Sequence, residues 1–410
     1  MQTFAKAGRL LSLSVMLILW GCGMQTTSSN DGAIHINPYE AKEFVNLSEI
    51  ADSIKCIKLQ TRAEDMIGYA LLTIVREKYI YVADVAQASV FVFDKEGQFV
   101  SKLNKRGRGP GEYSVMGPIY VDGNEEYLEL YDISTERLLR YANISFEFLE
   151  EKAFPYIIFN SWRKGDGLYY CATDQIDNRV ANGKKTNAGL LIVDGDHNVK
   201  TLFDKEIETN RSYYSVGSES FTENDKNEIF LSLMFDNSFY QLKAGEAQAV
   251  LTVDFGKYGM DNSMGMKSTK EQMDYFQTSA NVASLPRLNA NNVNILSFSY
   301  LFKQDPEKRW YKEDDSRLYL EIKDRNKAYH VHYIKNDLSG FPNRIYLNNY
   351  FEPAHEALHQ DYLVEIIDPS KYFENDTDKI FVDGIGEITS EDNLIIAFMK
   401  LKKSSKKSIK

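Results

Sequence analysis

An all-β ring of repeated four-stranded units is the fold this sequence predicts, and three observations predict it. Apolar and polar residues alternate with a period of two through most of the chain, as half-buried strands require. Tyrosine (26) and phenylalanine (23) are plentiful and proline (9) is scarce among the 410 residues; aromatic side chains suit the pleated surface of a sheet. Two strand groups are separated by Asn104-Lys105-Arg106-Gly107-Arg108-Gly109-Pro110-Gly111-Glu112-Tyr113. Glycine tolerates positive φ and proline fixes its own, so this segment reads as a tight, rigid connector. Connectors of this kind recur between the blades of β-propellers.

The first 21 residues read as an address rather than as fold. Lys6 and Arg9 precede an apolar run over residues 10–20, followed by Gly21-Cys22. The run is about half the ~20 residues that span a bilayer, which is the pattern of a secretory signal. A cysteine directly after a small residue makes it a lipoprotein-type signal, with Cys22 as the acylated residue. Residues 22–45 follow as a tether, polar and without periodicity up to Gly32. Cys56 and Cys171 lie in strand-like runs and are expected to be unpaired. A net charge of −11 argues against nucleic acid and against an anionic membrane surface as partners, leaving the lipid as the sole membrane contact. The basic residues 403–410 read as a solvated tail.

Six units then follow one another within residues 46–402. The first uses residues 79–84, 90–94 and 99–103, and the second 127–132, 138–141 and 146–149. The third uses 168–174, 190–194 and 199–203; the fourth 228–236, 239–242 and 249–255. A fifth is read over 317–324 and 329–334, and a sixth over 362–368 and 394–401. Inner strands are expected at 119–121, 156–160 and 293–299. Each unit carries an aspartate at the end of its second strand: Asp84, Asp132, Asp174, Asp236, Asp324 and Asp368. These are expected to cap turns by accepting from backbone N–H groups rather than to collect a cation. The sixth unit lacks an outer strand, which residues 54–60 would supply, locking the ring by its two ends. The prediction is a six-bladed β-propeller of four-stranded blades.

The connector, together with Asp94-Lys95-Glu96-Gly97 before it and Val121-Asp122 after it, resembles an NHL-type repeat. With the Cys22 signal, Ile57-Lys58-Leu59-Gln60-Thr61 and the ending Glu391-Asp392-Asn393-Leu394, the chain past residue 45 resembles the six-bladed β-propeller lipoproteins of Gram-negative gut anaerobes. That resemblance implies fold and an outer-membrane lipoprotein location, and implies little about activity. Gly23-Met24-Gln25-Thr26 carry no acidic cluster, which favours a periplasm-facing position.

Antiparallel strand order places blade-to-blade connectors on the same side as the turns between second and third strands. Insertions at 175–189, 206–220 and 256–292 are expected on that side, the last with a short helix over 269–278 capped by Ser268. Loops of this length in a compact domain are usually functional or disordered, so the side is read as a binding mouth. Its candidate ligand-binding residues are Arg106, Arg108, Glu112, Tyr113, Arg211, Tyr213 and Tyr214. The charged loop 303–316 is placed on the opposite side.

His355-Glu356-Ala357-Leu358-His359 matches the zinc-hydrolase pattern, in which two histidines one helical turn apart hold the metal. Pro353 and the strand at Asp361 leave too little helix, so it is read as an exposed turn. His330 and His332 could begin a metal site but lack a third ligand. No nucleophile elbow or phosphate loop is present. The expectation is a tethered, non-enzymatic envelope protein binding a glycan, a peptide or a protein, with no cofactor or metal. The alternatives are a metal-dependent lyase or lactonase of propeller type, and a pure scaffold.

Overall fold

Strand pairing arranges the chain as six blades of a β-propeller. The computed structural model describes residues 32–402, apart from 159–160, 174–177, 180–183, 205–219, 234, 309–310, 348–353, 358–360 and 374–378. Blade 1 comprises Ala70–Val75, Tyr79–Asp84, Ser89–Asp94 and Phe99–Leu103. Blade 2 comprises Met116–Val121, Tyr127–Asp132, Arg137–Ala142 and Phe148–Ala153. Blades 3 and 4 repeat the meander from Ser161–Gly165 to Val199–Leu202 and from Ser220–Glu223 to Glu246–Asp254. Alternation is muted in the inner strands because both of their faces are covered: Met116–Val121 is buried at every position.

Blade 5 shows where periodicity alone misleads. Its strands are Val282–Asn291, Ile295–Lys303, Ser316–Ile322 and Lys327–Lys335. The inner strand is Val282–Asn291, hidden in the segment read as insertion, and 293–299 belongs to the second strand. Residues 317–324 are therefore mostly third strand, and Asp324 sits in the turn to the fourth. A shift of one strand reverses the side on which every later loop of a blade emerges, so the 304–315 loop lies on the connector side. In blade 3 the inner strand begins at Ser161, after the 156–160 segment expected there.

The outer edges of blades 4, 5 and 6 are covered by one continuous N-terminal segment. Ala33–His35 pairs in parallel with Glu246–Asp254 of blade 4, and Lys42–Asn46 pairs in parallel with Lys327–Lys335 of blade 5. Ala51–Lys58 then pairs antiparallel with Ile395–Leu401, next to Tyr362–Ile367, in blade 6. The tether expected to reach residue 45 thus gives way to ring structure at residue 33, because these short strands satisfy otherwise open backbone edges. Blade 1 gains a fifth strand on the free edge of its inner strand, Ala354–Ala357, in parallel. The histidine pattern accordingly begins in a strand, neither helix nor turn; His359 lies outside the described residues.

Apolar faces of neighbouring blades pack against one another around the ring. Tyr81, Val92 and Ile74 of blade 1 meet Ile119, Val121 and Leu130 of blade 2. Ile80, Phe91 and Phe93 on the other face of blade 1 meet Ile366, Ile396 and Phe398 of blade 6. Cys56 and Cys171 are free, and burial pushes the Cys56 thiol up to about 11. The insertion helix Thr269–Thr278 has the expected Ser268 cap, completed by Glu271 into a capping box. Lys303, fully buried, donates at 2.9 Å to the carbonyls of Phe276 and Gln277 at the other end of that helix.

Removing residues up to Gly32 should leave solubility and melting temperature unchanged. Removing residues up to Gln60 strips edge strands from three blades and should give an aggregating product. Comparable thermal melts for the two truncations would show that the N-terminal strands contribute nothing to closure.

Candidate functional site

Every long loop among the described residues emerges on the connector side, as strand order dictates. That side holds 104–115, the 173–189 loop, 255–281, 304–315, the segment after Lys335, and 368–394. The opposite side has short turns such as 76–78, 95–98, 244–245 and 323–326. The asymmetry is larger than the sequence suggests, since three further insertions join two of the three expected; the third, 206–220, lies almost wholly outside the described residues. Arg211, Tyr213 and Tyr214 lie outside the described residues.

The connector itself is braced at each end and through its middle. The Gly107 amide donates to the Tyr113 carbonyl and the Tyr113 amide to the Lys105 carbonyl, at 3.0 and 3.1 Å. The Glu112 carboxylate turns back and accepts from the Gly109 amide at 2.7 Å. A Cβ on Gly107 would fall 1.9 Å from that carboxylate, and one on Gly111, at φ +69°, would fall 2.5 Å from the Phe148 ring. Only glycine fits at Gly111, while a side chain at Gly107 would displace the Glu112 carboxylate from its bond to the loop.

Of the four connector residues expected to bind ligand, two are structural. Tyr113 is fully buried, donates at 2.6 Å to the Ala88 carbonyl, and its phenol is pushed up to about 12 by burial. Glu112 is spent on the loop. Arg106 and Arg108 remain: both are exposed, and among the described residues neither side chain has a hydrogen-bond or ion-pair partner. They line an open groove of about 650 Å³ with Ser114, Val115, Thr135 and Arg137. Arg137 was not legible as part of the site; it contributes by holding the loop, donating to the Glu112 carbonyl at 3.3 Å while paired with Glu151 at 2.7 Å.

The groove floor is set by the blade-end aspartates. Buried Asp132 accepts from the amides of Ser114, Val115 and Ser134 at 2.9–3.1 Å. Burial alone would raise its pKa, but these donors hold it below the usual carboxylate value. One blade earlier, Asp84 accepts from the amides of Gly68, Tyr69 and Gln87. Asp236 and Asp368 accept from amides two residues on, as turn caps should; Asp174 lies outside the described residues.

The histidine pair of blade 5 gathers no third ligand among the described residues. His330 is buried, 2.7 Å from the Tyr300 hydroxyl, and burial together with nearby Arg317 lowers its pKa to about 4. His332 is lowered likewise, first by burial. Among the described residues no group of three or more His, Cys, Asp or Glu side chains could hold a metal ion, and no helix is long and apolar enough to cross a membrane.

The molecule is thus a six-bladed propeller with a plain side and a loop-bearing side. It belongs to the family described as DUF4934, a domain of unknown function, whose model matches residues 33–400. Its fold is similar to that of a Bacteroides fragilis protein inferred to be exported, at 19% identity and TM-score 0.64, covering 88% of this chain and 99% of that one. It is also similar to a DUF4221 family member from Bacteroides vulgatus, at 12% identity and TM-score 0.52, covering 86% and 97% of the two chains. No curated protein matches.

Because Arg108 is exposed and unpaired among the described residues, Arg108→Ala should change stability by no more than about 0.5 kcal/mol. Tyr113→Ala removes a buried ring and should cost about 3–5 kcal/mol. Chemical denaturation of the two variants checks both; a large loss for Arg108→Ala would make it a tie between blades.

Proposed function

We propose that this chain is an exported, lipid-anchored binding protein of the cell envelope that holds an anionic ligand on the connector side of its propeller. One observation carries the reading: two exposed arginines with no partner among the described residues stand on a loop braced by its own hydrogen bonds. Arginine presents a planar fork of donors that suits carboxylate, sulfate or phosphate groups. A preformed loop loses little entropy when the ligand arrives. In a chain of net charge −11, such a site selects by local chemistry, not by overall attraction.

The ligand classes that fit are an acidic glycan, an acidic peptide or an acidic patch of an envelope protein. Export is supported by the signal-like residues 1–21 and by the fold similarity to an inferred exported protein. Cys22 is the acylation position, with the ring facing the periplasm. Cys22→Ala should release the protein from the membrane fraction; retention through a high-salt wash would count against the anchor.

The binding reading is tested by screening the full chain and the Arg106→Ala/Arg108→Ala double variant against an array of neutral, uronate-bearing and sulfated glycans and acidic peptides. Binding of anionic members that falls at least about tenfold in the double variant, with an unchanged melting temperature, is expected. Failure to find any anionic ligand whose binding depends on the two arginines would refute it.

A further inference from the structure

A second cavity on the connector side, between blades 5 and 6, has a chemistry of its own. It measures about 470 Å³ and is lined by Tyr311, Tyr346 and Tyr372 together with Lys312, Arg344 and Lys371. That volume falls within the range of small-molecule sites. The residues come from three separate segments: the 304–315 loop, the chain after Lys335, and the end of Tyr362–Ile367 with the turn of helix that follows it. No local sequence motif could have announced it.

The three tyrosine rings line the cavity while packing against aromatic neighbours behind them, Tyr311 on Phe276, Tyr346 on Tyr333 and Tyr372 on Phe341, at 6.0, 6.0 and 5.0 Å between centroids. The Tyr311 hydroxyl lies 3.2 Å from the Ser284 hydroxyl, and the Tyr346 hydroxyl lies beside Arg344, whose pKa it raises. Arg344 is held on its other side by the Tyr333 ring, 4.8 Å from guanidinium to centroid. This cation is oriented before any ligand arrives. Lys312 has no side-chain partner among the described residues; its amide donates to Asp315.

Two carboxylates complete the lining, Glu365 and Asp368. Asp368 Oδ1 is committed to the Ser370 amide and hydroxyl at 3.0 and 2.6 Å. Glu365, buried, accepts from the Tyr346 amide at 3.3 Å through one oxygen. Arg344 and Lys312 bring two cations to the lining of a cavity in an acidic chain. A carboxylate in the lining disfavours a multiply charged phosphate and suits a ligand that also brings hydroxyl donors. Aromatic faces suit the apolar C–H side of a pyranose ring.

We propose that this cavity binds an acidic sugar, a pyranose bearing a carboxylate of the uronate class. Its carboxylate pairs with Arg344 and Lys312, and its ring lies on the tyrosines. The assignment stands apart from the Arg106–Arg108 groove and does not depend on it.

The test is calorimetric titration of the detergent-solubilised full chain with 4-linked digalacturonate, an unsulfated hyaluronate tetrasaccharide, neutral galactobiose and citrate. Binding of at least one uronate ligand is expected, about tenfold or more tighter than galactobiose and citrate. Arg344→Gln should weaken it about tenfold with an unchanged melting temperature, Lys312→Gln should weaken it less, and Arg108→Ala should leave it intact. Failure of both uronates to bind would overturn the proposal. So would equal affinity for galactobiose, which removes the charge argument, or for citrate, which removes the ring argument. Uronate binding that survives Arg344→Gln but is lost in Arg108→Ala would place it in the other groove and overturn this assignment while supporting that one.

Discussion

The pairing of Ala51–Lys58 with Ile395–Leu401 is the constraint on which the rest of the molecule depends. A propeller has no covalent closure, so its last blade must be finished by the other end of the chain or be left with an open edge. Here the Lys402 amide reaches the Ile50 carbonyl at 3.0 Å, directly joining segments from the two ends. Packing of Phe91 and Phe93 against Ile396 and Phe398 then requires that junction to be in place. Each buried aromatic of this kind is worth about 1.5–3 kcal/mol, and none of that is realised between blades 6 and 1 unless the ring is shut.

Closure also explains why the two sides differ. Turns on the plain side include several residues in the left-handed region, among them Glu125, Asp166, Asn227 and Asn326, which is the geometry of tight reversals. The connector side instead stitches one blade to the next, and Asp84 and Asp132 fix those stitches by collecting amides from the incoming chain. With the joints held this way, loops beyond them can lengthen at little thermodynamic cost. The Arg106–Arg108 groove and the tyrosine-lined cavity both occupy that permissive side.

Blade number, the order of most strands, the closing strand and the Ser268-capped helix were legible in the sequence because each leaves a local signature: alternation, turn residues or a cap. The inner strand Val282–Asn291 was not, since a long preceding insertion and a strand covered on both faces erase the contrast that alternation needs. That single slip put the 304–315 loop on the wrong side. The strands at Ala33–His35 and Lys42–Asn46 were missed because parallel addition of three to five residues to an existing edge leaves almost no pattern. Of the candidate site, the arginines were found by their connector, while Tyr113 and Glu112 looked the same in sequence and proved to be braces. The cavity of Tyr311, Arg344 and Tyr372 joins residues dozens of positions apart and could be seen only in the folded chain.

The N-terminal segment has a mechanical consequence as well. A pull on the chain ahead of residue 33 meets the blade 4 pairing of Ala33–His35 first, then that of Lys42–Asn46 on blade 5, and only afterwards the strand that seals blade 6. Load is thus taken up by two sacrificial attachments in series before the seal is stressed. A protein held to a moving surface by its N-terminus could lose both and still keep its ring intact.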